Sequence, residues 1–288
     1  MHDDGSSRRR GGLRAGVAVC LVVAVAASLG LTALATGLGR GQEAAQSLDI
    51  TLAKGSTTVS TPTGLASGLT KIQAKNTGST PTNVLVARIR PGKTFDELVA
   101  VTNRSSAIPE EFIATITSFF GLAPGQTFTT TLALPPGDYI ASQPPQGKGT
   151  GPVTQFSVSS AAAGGSPPAT VGKIQLFDYG IRGSTSIRGK GTLAVENIGL
   201  NYHFIESIRL NDPSQASEVV QGIESGHLAG PPPGQPVSII GIVQPGTTNY
   251  VNVNLKKGTY VIACFNADRH SAGHNHAQYG MVRKLVVK

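Results

Sequence analysis

The chain contains an internal repeat, and this feature constrains its fold more than any other. Three separated anchors match when the sequence is laid on itself: Asn76 with Asn197, Pro124-Gly125 with Pro245-Gly246, and Gly137 and Tyr139 with Gly258 and Tyr260. All three keep one offset of 121 residues without a gap. Gly, Asn and Pro restrict where a chain can reverse, so matched turn residues at matched spacing impose the same strand order. The sequence therefore predicts two copies of one domain.

The repeat sets the predicted domain boundaries. The first copy is expected at residues 48–158 and the second at residues 171–288. Between them, residues 159–170 are rich in Ala, Gly, Ser and Pro, a composition typical of a flexible linker. A chain of 288 residues is long enough for two domains that each bury a core.

Composition indicates that both copies are built from strands. Charged residues make up only 14% of the chain, whereas Gly (36) and Pro (18) are frequent, which disfavours long charged helices and favours short strands joined by turns. In the second copy, runs rich in β-branched and aromatic residues predict strands at 192–196, 203–210, 250–255, 259–265 and 282–287. The predicted fold class is all-β, with two tandem antiparallel Greek-key β-sandwiches.

Short helices are expected beside the strands. Residues 214–222 place apolar side chains at helical spacing, with Ser214 as a possible N-cap, and the first copy has its counterpart at 94–101. A further helix is predicted at 109–120, where two glutamates would lie near the positive end of the helix dipole.

The N-terminus reads as an export signal. An Arg-rich stretch at 7–14 precedes an apolar run at 15–39, and positive charge before such a run keeps the N-terminus in the cytoplasm. Ala33-Leu34-Ala35 would suit cleavage, yet the run is also long enough to serve as an uncleaved membrane anchor. Under both interpretations, everything after about residue 40 is expected outside the cytoplasm, either secreted or anchored.

The charge pattern does not indicate a nucleic-acid partner. The formal net charge is +8, but the residues beyond Arg40 contain 19 Lys/Arg against 14 Asp/Glu, and the excess is spread without basic clusters. A soluble, mildly cationic surface is expected instead.

The residues with distinctive chemistry lie near the C-terminus. Cys264 is the only cysteine beyond the export signal, so no intrachain disulfide can form there. Taken alone, it would be read as a small buried hydrophobe. The next seventeen positions, however, contain His270, His274, His276 and Met281. Thiolate, imidazole and thioether suit copper, and a Cys with two His and a long axial Met is a blue-copper electron-transfer site.

This segment resembles the copper-ligand loop of cupredoxins such as plastocyanin, in which a Cys ends a strand, a His follows, and a Met comes five positions later. His276 and Met281 have that spacing, although the step from Cys264 to His276 is longer than in plastocyanin. The first His ligand of the family follows an Asn-containing turn, as His203 does here. The resemblance implies one copper ion in the C-terminal domain, bound by His203, Cys264, His276 and Met281.

Each of these residues, taken alone, could also have a purely structural role. His203 could be an ordinary strand histidine and Met281 a core side chain, but their joint occurrence at the family positions favours ligation. His270 and His274 are read as solvated loop residues or auxiliary metal-capture ligands.

The first copy lacks the ligands. The offset maps His203 onto Thr82 and Cys264 onto Gln143, and residues 144–154 contain no His, Cys or Met. This copy is therefore expected to pack against the second, to space it, or to recruit a partner.

The leading functional hypothesis is an extracytoplasmic copper protein that either transfers electrons or stores and delivers copper to a protein partner, and the sequence leaves both open. The alternative is a metal-free interaction or adhesion protein. An enzyme of the multicopper oxidase or nitrite reductase type is set aside, because Ala263 and Phe265 flank Cys264 where a His-Cys-His motif would be needed.

Overall fold

The computed structural model describes residues 45–61, 64–102, 111–144, 151–228, 230–267 and 273–288, and these are mostly in β-strands, as predicted. Residues Arg40–Lys288 belong to one compact unit. The predicted export signal lies outside the described residues. Among those that are described, no helix is both long enough and apolar enough to cross a membrane.

The strands fall into two series. The first comprises β1 (Gln46–Ala53), β2 (Ser56–Ser60), β3 (Leu65–Asn76), β4 (Thr82–Ile89), β5 (Ile113–Leu122), β6 (Thr127–Leu134), β7 (Gly137–Ser142) and β8 (Val153–Ala162). The second comprises β9 (Gly172–Phe177), β10 (Gly180–Gly183), β11 (Ser186–Ile187), β12 (Lys190–Asn197), β13 (His203–Leu210), β14 (Gly234–Val243), β15 (Thr248–Asn254), β16 (Gly258–Ala263) and β17 (Val282–Val287). The second series contains all five strands predicted there, and β8 extends into the predicted linker.

Two of the three predicted helices are present. Helix α1 (Phe95–Thr102) begins with a reciprocal cap, because the Thr94 hydroxyl accepts a hydrogen bond from the Glu97 N–H and the Glu97 carboxylate accepts one from the Thr94 N–H. Helix α2 (Ala216–Ser225) follows a short 3-10 helix (Pro213–Gln215). Ser214 is not the N-cap that the sequence predicted, because the Asp212 side chain caps the 3-10 helix by accepting from the Ser214 N–H.

The prediction of a helix at 109–120 is wrong. Residues Ile113–Leu122 form β5, which pairs with β4 along most of its length. The segment contains two Ile, two Thr and two Phe residues, which favour strands, and cross-strand pairing outweighs the favourable position of two glutamates near the expected helix start.

The same strand pairings recur in the two series. The antiparallel pairs β3–β6, β4–β5, β4–β7 and β7–β8 correspond to β12–β15, β13–β14, β13–β16 and β16–β17, and the parallel pair β1–β3 corresponds to β9–β12. Strands β5 and β6 begin 121 residues before β14 and β15, which is the offset that the sequence repeat predicted.

Equivalent polar side chains hold the two halves in the same way. Asn76 and Asn197, both buried, each donate two hydrogen bonds of 2.8 Å from Nδ2 to backbone carbonyl oxygens. The acceptors are Thr80 and Leu122 in the first half, and Asn201 and Val243 in the second. Tyr139 and Tyr260 each donate from their hydroxyl to the carbonyl oxygen four residues earlier. The residues that match in the sequence repeat therefore make equivalent hydrogen bonds in the two halves.

The offset changes at the first strand of each half. Leu52 pairs with Asn76 in the first half, whereas Leu176 pairs with Asn197 in the second. These equivalent leucines are 124 residues apart, three more than the offset elsewhere. Each is followed shortly by a tight two-residue turn, made by Lys54-Gly55 in the first half and by Asp178-Tyr179 in the second.

The halves are joined edge to edge. Strand β14 pairs with β5 at Val243 and Thr117, and β15 pairs with β6 at Val251 and Thr130. At the first of these junctions, a Cβ on Gly241 would lie 2.1 Å from the Ser118 hydroxyl oxygen, so a side chain there would block the close approach of the strands. The first half therefore packs directly against the half that contains the predicted ligands.

Candidate metal centre

Three of the predicted ligands meet in the second half. His203 is the first residue of β13, Cys264 directly follows β16, and His276 begins a 3-10 helix (His276–Tyr279). The Nδ1 atoms of the two histidines lie 3.1 Å apart. The Cys264 Sγ lies 3.9 Å from Nδ1 of His203 and 3.8 Å from Nδ1 of His276.

The triangle formed by these three atoms has the size of a metal site. A point equidistant from them lies about 2.1 Å from each, within the range of about 2.0–2.3 Å typical of bonds from a transition metal to nitrogen and sulfur. One thiolate and two imidazoles are the donors of a trigonal copper site. The C-terminal half therefore contains three donor groups that could hold one metal ion, and their chemistry suits copper.

Hydrogen bonds to backbone carbonyl groups hold together the segments that carry the three donors. The Cys264 N–H donates to the Met281 carbonyl, and the Met281 N–H donates to the His276 carbonyl, both at 3.0 Å. The His276 N–H donates at 2.7 Å to the carbonyl of Asn266, whose side chain donates at 3.1 Å to the Tyr202 carbonyl next to His203. Asn266 therefore ties the three ligand segments together, a role that the sequence analysis missed.

Met281 belongs to the same buried region. Its side chain is 0% exposed and lies in the hydrophobic core cluster that includes Cys264. The two backbone hydrogen bonds described above place its main chain between those of Cys264 and His276. Ligation by the Met281 thioether remains a proposal.

Burial controls the protonation of the thiol. Desolvation raises the pKa of Cys264 to about 11, and the backbone N–H groups of Phe204 and Asn266, which hydrogen-bond to the sulfur, only partly offset this effect. In the metal-free protein the thiol is therefore protonated at neutral pH. Binding of a metal cation must release that proton, because the thiolate is the ligand form.

His274, the other loop histidine that the structure describes, does not join this cluster. His274 is exposed, and its ring lies 5.9 Å from that of Tyr279. His270 lies outside the described residues. Within the part of the chain that is described, His203, Cys264 and His276 form the one group of His, Cys, Asp or Glu side chains with ligand spacing.

Two residues beside the candidate metal centre had no signal in the sequence analysis. Asp178 Oδ1 lies 3.2 Å from Nε2 of His203. Burial acts to raise the pKa of Asp178, but the backbone N–H groups of Leu200 and Asn201, together with nearby His203, hold it below its ordinary value. Tyr179 meets the ring of His276 edge-on, with centroids 5.1 Å apart. A comparison of the Asp178-Tyr179 turn with its repeat partner would have pointed to both, but only once the change of offset was known.

At the equivalent place in the first half, polar side chains contact each other. Thr82 and Gln143, which align with His203 and Cys264, contact each other at 3.1 Å. The Gln143 amide also donates hydrogen bonds to the Ala53 carbonyl and to the Thr57 hydroxyl, both at 3.0 Å. An amide therefore bridges strands where the second half has its thiol.

Comparison with known proteins adds little to this geometry. No protein-family model matches the chain, and no curated protein matches it. Among solved structures, auracyanin from the photosynthetic bacterium Roseiflexus castenholzii is 15% identical, with a TM-score of 0.27, covering 41% of this chain and 99% of that one. A multicopper oxidase is 13% identical, with a TM-score of 0.23, covering 84% and 88%. At such low TM-scores these likenesses carry no argument about this chain.

Proposed function

We propose that this protein transfers single electrons outside the cytoplasmic membrane through one copper ion bound by His203, Cys264, His276 and Met281. Copper supplies the one-electron redox step when bound, and the protein supplies a fixed set of donors. The observation that carries the proposal is the meeting of three donor atoms from three segments at metal-binding separations.

Burial favours electron transfer over copper delivery. His203, Cys264, His276 and Met281 are each 0% exposed, so copper would be enclosed by protein. The backbone hydrogen bonds around Asn266 resist movement of the ligands. A redox centre benefits from donors that barely move between two oxidation states, whereas delivery needs a site that a partner can reach.

The proposed role is non-catalytic, because Ala263 and Phe265 flank Cys264 where a His-Cys-His motif for a second copper centre would be needed. An oxidase or nitrite reductase would need a further copper centre. The proposal places residues after about 40 outside the membrane, on the strength of the Arg-rich and apolar pattern at 7–39. Whether that segment is cleaved or anchors the protein is decided by the mass of the mature chain.

We further propose that the two halves are cupredoxin-like Greek-key β-sandwiches, residues 48–158 and 171–288, of which only the second binds metal. The recurrence of five strand pairings in both series supports this division. Superposition of an experimental structure of the two halves would test it, and different strand orders would refute it.

The decisive experiment is copper loading of the exported part of the chain. We expect one Cu(II) per chain, an intense visible absorption from the thiolate, and reversible bleaching by a one-electron reductant. Transfer of the reduced copper to a chromogenic Cu(I) chelator should be slow, because the site is buried. Rapid and complete transfer would favour delivery instead.

The same experiment distinguishes a copper protein from the metal-free alternative. A protein that binds neither Cu(II) nor Cu(I) stoichiometrically would be a metal-free interaction or adhesion protein. Tight binding of Zn²⁺ in preference to copper would also overturn the electron-transfer proposal, since Zn²⁺ has no redox chemistry.

A further inference from the structure

We propose that the two-residue turn Asp178-Tyr179, between β9 and β10, is a positioning device for both imidazole ligands. Asp178 fixes the tautomer of His203, and the ring of Tyr179 fixes the orientation of His276. The identity of the metal rests on the proposed function above, but both contacts exist in the protein itself and can be measured without metal.

The first contact decides which nitrogen of His203 can bind a metal. A neutral imidazole has one N–H and one nitrogen with a free lone pair, and an ionised carboxylate can only accept a hydrogen bond. Asp178 Oδ1 lies 3.2 Å from Nε2 of His203, so the proton belongs on Nε2. The lone pair is then on Nδ1, the nitrogen that faces Cys264 and His276.

Asp178 is itself held in place by the segment that leads into His203. Its carboxylate accepts hydrogen bonds from the Leu200 N–H at 2.9 Å, from the Asn201 N–H at 3.1 Å and from the Asn201 side-chain amide at 3.3 Å. The carboxylate cannot rotate away from His203 without losing these donors. It therefore fixes the ligand and the loop before it together.

The second contact depends on an unfavourable backbone conformation. Tyr179 has a φ of 66°, and it is the one non-glycine residue in the described part of the chain with a positive φ. A bulky residue in the left-handed region costs free energy, and such strain concentrates at functional sites. Here the strained backbone places the tyrosine ring against His276, edge-on at 90°.

The first half provides an internal control for this argument. Its equivalent turn is Lys54-Gly55, where Gly55 has a φ of 77°. The turn therefore requires a left-handed second residue in both halves, and glycine satisfies it without strain. Only the half with the histidine ligands has a carboxylate and an aromatic ring at these two positions, so turn geometry alone does not explain them.

Long-range ¹⁵N NMR of the metal-free protein tests the role of Asp178 directly. We expect His203 to be protonated at Nε2 in the parent and to lose that uniform tautomer in Asp178→Ala. Lys54→Ala, at the matched position of the first half, should leave the His203 signals unchanged. After copper loading, Asp178→Ala should bind copper about 10- to 100-fold more weakly, which is the usual effect of losing a partner of a metal-bound histidine.

The variant Tyr179→Gly tests whether Tyr179 orients the His276 ring independently of any effect on protein stability. This variant removes the left-handed strain, so its melting temperature should not fall, yet the His276 ring signals should lose the shift caused by the tyrosine ring. Its copper should also pass to a Cu(I) chelator about 10- to 100-fold faster than from the parent. Tyr179→Phe retains the ring and should restore the parent behaviour in both measurements.

Two results would overturn the proposal: an Nδ1–H tautomer of His203 in the metal-free parent, or unchanged His203 and His276 signals in Asp178→Ala and Tyr179→Gly. Failure of the parent to bind copper would refute the proposed function instead. In that case the NMR measurements would still decide whether the turn positions the two rings.

Discussion

The Thr82 hydroxyl donates a hydrogen bond of 3.1 Å to Oε1 of Gln143, at the place in the first half where His203 and Cys264 approach each other in the second. The two halves therefore use one position for different purposes. In the first, polar side chains link neighbouring strands. In the second, the same strands bring together donors for a metal.

Gln143→Ala should destabilise the first half without affecting copper. The variant removes an amide that donates to Ala53 and Thr57, and it should lower the free energy of unfolding by about 1–2 kcal/mol, because these acceptors lose their partner. Urea denaturation measures this change. The exposed Gln155→Ala serves as the control and should be neutral. Altered copper absorption in Gln143→Ala would contradict the separation of the two sites.

Cys264→Ser should abolish tight copper binding and the intense visible absorption. Serine has nearly the same shape, so the fold should persist, but its hydroxyl is a poor substitute for a thiolate as a copper ligand. Metal analysis and absorption spectroscopy after Cu(II) loading provide the measurements, with Gln143→Ala at the equivalent position as the matched control. Parent-like copper binding by Cys264→Ser would refute the proposed centre.

Much of the fold could be predicted because the repeat is marked by turn residues and by buried polar side chains that make equivalent hydrogen bonds in both halves. Asn76 and Asn197 were visible as matched letters, and the structure explains the match, since each side chain satisfies equivalent carbonyl groups. The strand at Ile113–Leu122 was mistaken for a helix because its partners lie on β4 and β14, far away in sequence. Single-segment patterns do not contain that information.

The candidate metal centre could be predicted only in part. Cys264 and His276 share one loop, and His203 was found through the family resemblance, so three ligands were accessible from the sequence. Asp178 and Tyr179 were not, because their turn matches Lys54-Gly55 at an offset of 124 residues, whereas the anchors of the sequence repeat all keep an offset of 121. Residues that orient ligands depend on tertiary contacts rather than on spacing.

Met281→Leu should retain copper but change its redox behaviour. Leucine has a similar volume, so this buried substitution should cost less than about 1.5 kcal/mol of stability. Loss of an axial thioether should raise the reduction potential and shift the visible absorption, because the axial ligand tunes a blue-copper centre. Voltammetry and absorption spectra provide the test. An unchanged potential and spectrum would show that the Met281 sulfur is not a ligand.

The stability of the protein should fall at alkaline pH because of Tyr139. Burial raises the pKa of this tyrosine to about 12 from an ordinary value of 10.0, with nearby Arg88 acting weakly in the opposite direction. Its hydroxyl donates to the Pro135 carbonyl, a bond that requires the protonated form. Between these two values the unfolded chain loses the tyrosine proton while the folded protein retains it. The contribution of Tyr139 to stability should therefore be fully present below about pH 10, and the free energy of unfolding should decline by about 1–2 kcal/mol as the pH rises toward 12.

Urea unfolding at pH 9 and pH 11 measures this decline. Tyr139→Phe should be less stable than the parent at pH 9 but should show a smaller decline with pH, and an equal decline in both proteins would assign the effect to other groups.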